Sequence, residues 1–146
     1  SEQQLQQFLT KIGFSAEQNK QILLITHNMS FSKSLEKSIS LPFNGQIVQD
    51  ADRLDAIGAI GIFRAVYYGG AHQETIYDPT IAPRREFSKA EYRDLTQETI
   101  INHFHEKLLK LAKMMNTATA KRLARQRQQF MLNFLAEFQA EWQGKK

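Results

Sequence analysis

QDADRLDAIGAIG, residues 49–61, sets three carboxylates beside an arginine and runs directly into a string of small residues. Aspartates are costly to bury unless they pair with a base or hold a cation. Ala56, Gly58, Ala59 and Gly61 let a second helix approach closely. On a helix Asp52 and Asp55, three apart, share a face, while Asp50 points elsewhere. The pattern predicts a carboxylate pair on a helix packed inside the protein, where a divalent metal or a phosphate-handling site is commonly built. Aspartate is also favoured in the first turn of a solvated helix by capping and the macrodipole. The residues alone leave both readings open.

Outward from this stretch the signals are helical. Leu5, Phe8, Leu9 and Ile12 recur at helical spacing, with Gly13 where a C-terminal cap belongs. Ser15 and Gln18 form a capping box for a helix through Ile22, Leu23, Ile25 and Thr26. A turn or short helix is expected within 29–40, and Pro42, Asn44 and Gly45 mark a break. One long helix is then expected from Ile47 to Tyr67, stopped by Gly69 and Gly70. The segment 71–87, with Pro79, Pro83, Arg84 and Arg85, reads as a long loop. Ser88 and Glu91 read as a capping box for a helix running to Met115. Thr117 caps a last helix whose stripe is Leu123, Phe130, Phe134, Leu135, Phe138 and Trp142. The expectation is one all-α domain over residues 1–146.

A chain of 146 residues can bury a core of its own, and its 42% hydrophobic and 23% charged residues are ordinary for a globular protein. No apolar run approaches the roughly 20 residues that cross a bilayer, so no membrane partner is expected. Without cysteine there is no disulfide framework, thiolate metal site or thiol nucleophile, in keeping with an expected cytoplasmic location. The net charge of +4 suits phosphorylated partners or a solvated face, with Lys121, Arg122, Arg125 and Arg127 in the last helix. No glycine-rich phosphate loop and no nucleophile elbow is present.

The string IVQDADRLDAIGAIGIFRAVYYGG, with THNMSFSK before it and NHFHEKLLKLAKMMNT after it, resembles bacterial HD-domain hydrolases, the metal-dependent phosphohydrolases, from about Gly13 to Trp142. The resemblance implies a helical bundle of the HD type and a phosphohydrolase acting on a nucleotide or another small phosphorylated compound. It implies a divalent metal, manganese or magnesium, held by a histidine, a His-Asp doublet and a later aspartate that maps onto Asp52. This chain has no His-Asp doublet: its histidines precede Asn28, Gln73, Phe104 and Glu106. The family's doublet lies upstream of the SFSK region. The chain is therefore expected to match the carboxy-terminal part of an HD domain, incomplete at its amino-terminal side and inactive alone. No catalytic residue is assigned.

His27, at the end of its helix, and Lys33 in the following loop correspond to positions near the family's active site. Taken alone, His27 is a helix C-terminal histidine and Lys33 a solvated lysine. Arg53 completes the expected phosphate contacts. His103 and Lys107, four apart on a helix, share a face that suits substrate contact, while His105 points away. The alternative is a non-catalytic module that binds nucleic acid or a protein, although no nucleic-acid motif is present. Pairing of two copies through the small-residue face 56–61 is a further expectation.

Overall fold

The computed structural model describes residues 2–35, 39–84 and 99–146, and its regular structure there is entirely helical. Contacts divide the expected single domain into two compact units, Ser1–Gln49 and Asp50–Lys146.

The first unit begins with α1 (Glu2–Lys11) and α2 (Ala16–Asn28). The turn between them closes with Gly13 at φ 90° and Phe14 N–H donating to the Leu9 carbonyl. Ser15 and Gln18 form the expected capping box. Short α3 (Phe31–Ser34) follows, and α4 (Phe43–Asp55) starts just after Pro42, four residues earlier than expected. Leu9, Ile25, Phe31 and Leu41 are buried. Gln49 Nε2 donates to the Asn28 and Met29 carbonyls at 3.4 and 3.3 Å, closing the end of α2.

The second unit holds the end of α4 and then α5 (Gly58–Ala71), α6 (residues 100–114) and α7 (Ala118–Trp142). The long helix expected over 47–67 is two helices. Ile57 takes an extended backbone (φ −127°, ψ 165°), Gly58 follows at φ 79°, and α5 starts from there. The left-handed conformation of Gly58 costs an L-residue roughly 1–2 kcal/mol, and a β-carbon there would lie 3.0 Å from the Arg127 side chain. A β-carbon on Gly61 would lie 2.3 Å from the Ala56 carbonyl oxygen. Gly58 and Gly61 are thus buried in making this corner, which drives Ile57 to 1% exposure. Of the face expected to pair with a second copy, Gly58 and Gly61 are buried here, while Ala59 and Ile60 are exposed.

Phe104, Leu108, Leu111, Met115, Ala120, Ala124, Met131 and Leu135 fill the core with Ile57 and Ile62. Phe104 stacks on Phe134, and Tyr77 meets Phe138 and Trp142 edge-on. Phe130, expected in the apolar stripe of α7, is instead 52% exposed, because Ala124, Met131 and Leu135 define the inner face. Arg127, expected in a basic surface run, turns inward and donates to the Leu54 carbonyl. Thr117 caps α7 as expected, accepting from Ala120 N–H. The Ser88–Glu91 box lies outside the described residues. No described helix is long and apolar enough to cross a membrane.

Candidate functional site

The aspartate string divides by burial, and the buried members are not the expected ones. Asp50 is 3% exposed and Arg53 6%, whereas Asp52 and Asp55 lie on the exposed side. The Asp50 carboxylate accepts the backbone N–H groups of Asn116 and Thr117 at 2.8 Å each, and Asn116 Nδ2 at 3.0 Å. Burial pushes its carboxyl upward, but these N–H bonds outweigh it, so Asp50 sits below the ordinary 3.8. Asp50 thus holds the entrance to α7. Arg53 donates to the Met114 carbonyl. Burial lowers its pKa, against the opposing pull of Asp50 and Asp52. Its guanidinium, expected to contact phosphate, here serves the turn between α6 and α7. Asp55 pairs with Arg64.

The cavity of interest lies between α5 and α6 and has a volume of about 350 Å³. Arg64, Tyr68, Glu74, Ile100, His103 and Lys107 line it, above small residues Ala56, Gly61 and Ala65. Gly61, Ala65 and Gly69 recur every fourth residue along one face of α5. At Gly69 the helices approach so closely that a β-carbon would lie 2.5 Å from Ile100. The small face therefore lets α6 close against α5 at one end and leaves room for the cavity along the rest.

The ends of the cavity follow from the chain path. Ile100 N–H donates to the Thr75 carbonyl and Ile101 N–H to Ile76, so α6 starts beside the end of α5. Both helices line the cavity from there, which makes them run oppositely. Tyr68, Glu74 and Ile100 form one end; Gly61, Lys107 and Leu108 form the other. Glu74 is placed by the way α5 stops. The expected stop at Gly69 and Gly70 is not where the helix ends; it reaches Ala71. Gln73 then takes φ 58°, Gln73 N–H donates to the Gly70 carbonyl and Glu74 N–H to Gly69 at 2.9 Å. That closing turn folds Glu74 back over the last turn of α5.

α6 changes pitch where the cavity needs it. Ile100–His103 is α-helical, Phe104–Leu108 is a π turn, and Leu109–Leu111 and the 3₁₀ turn Ala112–Met114 complete it. Leu109 N–H reaches back to the Phe104 carbonyl, five residues away. In an α-helix His103 and Glu106 share a face. Through the wider π turn His103 and Lys107 both line the cavity, while Glu106 turns into the core at 1% exposure. There its carboxylate accepts Arg84 N–H at 2.8 Å, Nε at 2.9 Å and Nη2 at 2.6 Å. The anion beside Lys107 is thereby neutralised by Arg84 and does not oppose an anion in the cavity.

Of the residues expected to contact substrate, His103 and Lys107 come together on this wall and His105 is exposed, as expected. His27 is exposed in the amino-terminal unit, with Nε2 3.6 Å from Glu2; Lys33 is exposed on α3 of that unit. Asp52 has the metal assignment only from resemblance. Among the described residues no three His, Asp or Glu side chains come together to hold a metal. The described donor set therefore does not fit one. Sequence reasoning missed Arg64, Tyr68 and Glu74. The four-residue spacing of Gly61, Ala65 and Gly69, with Arg64 and Tyr68 also four apart beside it, was the available signal.

No protein-family model matches the chain. It is 35% identical over 139 residues to YpgQ of Bacillus subtilis, an uncharacterized protein, covering 93% of this chain and 58% of YpgQ. The chain thus spans little more than half of that relative's length. A crystal structure of a Lactobacillus plantarum protein superposes with a TM-score of 0.91 and 51% identity, covering 97% of this chain and 66% of that one. YpgQ crystallised with ADP gives 0.73 and 33%, with 97% and 61% covered. An HD-superfamily hydrolase of Bacillus thuringiensis gives 0.69 and 39%, with 97% and 62% covered. All-helical, and matched over 97% of its length, this chain has a fold similar to that of an HD-superfamily hydrolase.

Proposed function

We propose that this chain is the phosphate-holding portion of an HD-type phosphohydrolase whose ligand is a nucleotide or another small phosphorylated compound. The observation that carries the reading is the α5–α6 cavity, where Arg64, His103 and Lys107 converge above small side chains. A guanidinium matches two phosphate oxygens at once, an ammonium acts as a point charge, and an imidazole adds an N–H donor. The small floor lets a phosphate approach without a steric penalty. The structures of YpgQ with ADP and of an HD-superfamily hydrolase support the same reading.

In this reading the chain's own residues bind the phosphates, orient them and offset their charge. A divalent metal, manganese or magnesium, is the cofactor that HD-type hydrolysis implies, and it would activate water. No step is assigned through Asp52, since the described residues do not gather a ligand set. The chain alone is therefore expected to bind without turning over.

Calorimetric titration with ADP and with inorganic pyrophosphate tests the binding. Saturable binding of both is expected, weakening as salt rises, with a loss of about tenfold or more in Arg64→Ala and Lys107→Ala. Absence of binding to either ligand would overturn the proposal. Incubation with nucleoside triphosphates and manganese is expected to give no product above a metal-free control. Product there would show that a complete metal site exists in the chain.

A further inference from the structure

Charge is segregated along the sequence. From Lys107 to Ala136 there are seven lysines and arginines and no aspartate or glutamate, in a chain whose net charge is only +4. The fold sorts these cations. Lys107 joins the cavity wall, Lys110 is half-buried, and Arg127 turns inward on the Leu54 carbonyl. Lys121, Arg122 and Arg125 stay exposed on the first turns of α7. Spaced three and four apart, they share a ridge outside the Ala120, Ala124 and Met131 face that packs on the core.

None of the three side chains has a hydrogen bond or an ion pair among the described residues. The acids that flank this stretch do not oppose them. Glu106 is buried against Arg84, and Glu137 pairs with Lys146 about three helical turns beyond Arg125. Asp50, at the entrance to α7, is buried with its oxygens on Asn116 and Thr117. The helix end itself has little left to offer an anion, because Asp50 takes the Asn116 and Thr117 N–H groups and the Thr117 hydroxyl takes that of Ala120.

The remaining exposed residues over 118–129 are Ala118, Thr119, Gln126 and Gln129, small or hydrogen-bonding. A guanidinium matches two phosphate oxygens, an ammonium supplies a point charge, and amides and hydroxyls reach sugar and phosphate. Lys121 to Arg125 advances about 6 Å along the helix axis, close to two phosphate steps of roughly 3.4 Å in one strand of a duplex. No exposed aromatic ring stands between the cations to stack an unpaired base, and no exposed apolar side chain to enter a lipid surface.

We infer that the Lys121–Arg122–Arg125 ridge of α7 is a docking surface for the phosphate backbone of double-stranded nucleic acid, contacted without regard to base sequence. None of the three residues lines the α5–α6 cavity, so the ridge stands whether or not that cavity holds a nucleotide.

Anisotropy of a labelled DNA duplex of mixed sequence, titrated with the full chain at several salt concentrations, tests this surface. Affinity is expected to fall with salt at a log–log slope of about −2 to −3, as three phosphate contacts require. Combining Lys121→Ala, Arg122→Ala and Arg125→Ala should cost about tenfold or more at low salt and remove most of that slope. Alanine favours the helix, and thermal melts verify folding. Arg122→Gln with Arg125→Gln keeps the side-chain length and is expected to lose affinity in the same direction. A control that removes the same net charge from exposed sites elsewhere, Lys11→Ala, Lys20→Ala and Lys145→Ala, should change affinity by no more than about twofold. No binding at low salt would overturn the proposal, and an equal loss in the control would assign the effect to net charge alone. Tighter binding of a single strand, or of anionic phospholipid vesicles, through the same residues would overturn the duplex assignment. ADP affinity is expected to stay unchanged in the ridge variants; a loss matching that for the duplex would make the ridge part of the nucleotide site and end its separate role.

Discussion

The Asp50 corner and the α5–α6 cavity both gather charge in the carboxy-terminal unit, but they use it differently. At the corner Asp50 and Arg53 are buried and turned on backbone groups: the N–H donors of Asn116 and Thr117 on one side, the Met114 carbonyl on the other. In the cavity Arg64, His103, Lys107 and the Glu74 carboxylate line one space, while Glu106 is turned into the core and paired with Arg84. Charge that is buried and balanced holds a chain together. Charge set along the wall of an open space is placed where a ligand can meet it.

If this distinction holds, Asp50→Ala has the largest effect on stability, because two buried N–H groups lose their acceptor. A loss of about 3 kcal/mol is expected, on the order of 10 °C in melting temperature. The same carboxylate gives an acid signature. Its folded pKa lies below the ordinary 3.8, so its contribution is fully present above that value and is lost as pH falls through the folded one. Melting temperature measured from pH 6 down to pH 2 should fall less steeply in Asp50→Asn than in the wild type over that window. Equal slopes would show that Asp50 is not the corner's anchor.

Lys107→Ala sharpens the comparison from the other side. Binding of ADP is expected to weaken about tenfold, with the melt displaced by no more than about 0.5 kcal/mol. A melt displaced as far as that of Asp50→Ala would erase the distinction between the two regions. The smallest effect belongs to Asp55→Ala. Its pair with Arg64 is largely exposed, so stability should change by less than about 1 kcal/mol. Removing that carboxylate leaves Arg64 more positive toward the cavity, and ADP affinity is expected to rise about twofold to threefold. Weaker binding would mean that Asp55 orients Arg64 rather than competing for it.

The helical class was legible because local chemistry carries it. Ser15 with Gln18, Gly13 and Thr117 each close a helix end using residues within one turn. The break at residues 56–58 was not legible, since apolar periodicity runs through it and the turn depends on Gly58 fitting against Arg127, far along the chain. The same limit applies to the aspartates. Which carboxylate faces inward was decided by Asn116 and Thr117, more than sixty residues away. The pairing of His103 with Lys107 could be read from spacing. The π turn that turns Glu106 to Arg84 could not, because only their contact in the folded unit reveals it.

Trp142 is the chain's single tryptophan, and its position gives the molecule an optical reporter with a restricted field of view. Its indole meets Tyr77 edge-on at 5.2 Å and stacks on Phe138 at 5.9 Å. Tyr77 belongs to the segment that joins the closing turn of α5 to Arg84. Tryptophan emission therefore reports first on whether that segment is seated against the end of α7. Circular dichroism, summed over all the helices, reports on the whole. A temperature scan that follows both signals separates the undocking of one strap from the melting of the fold.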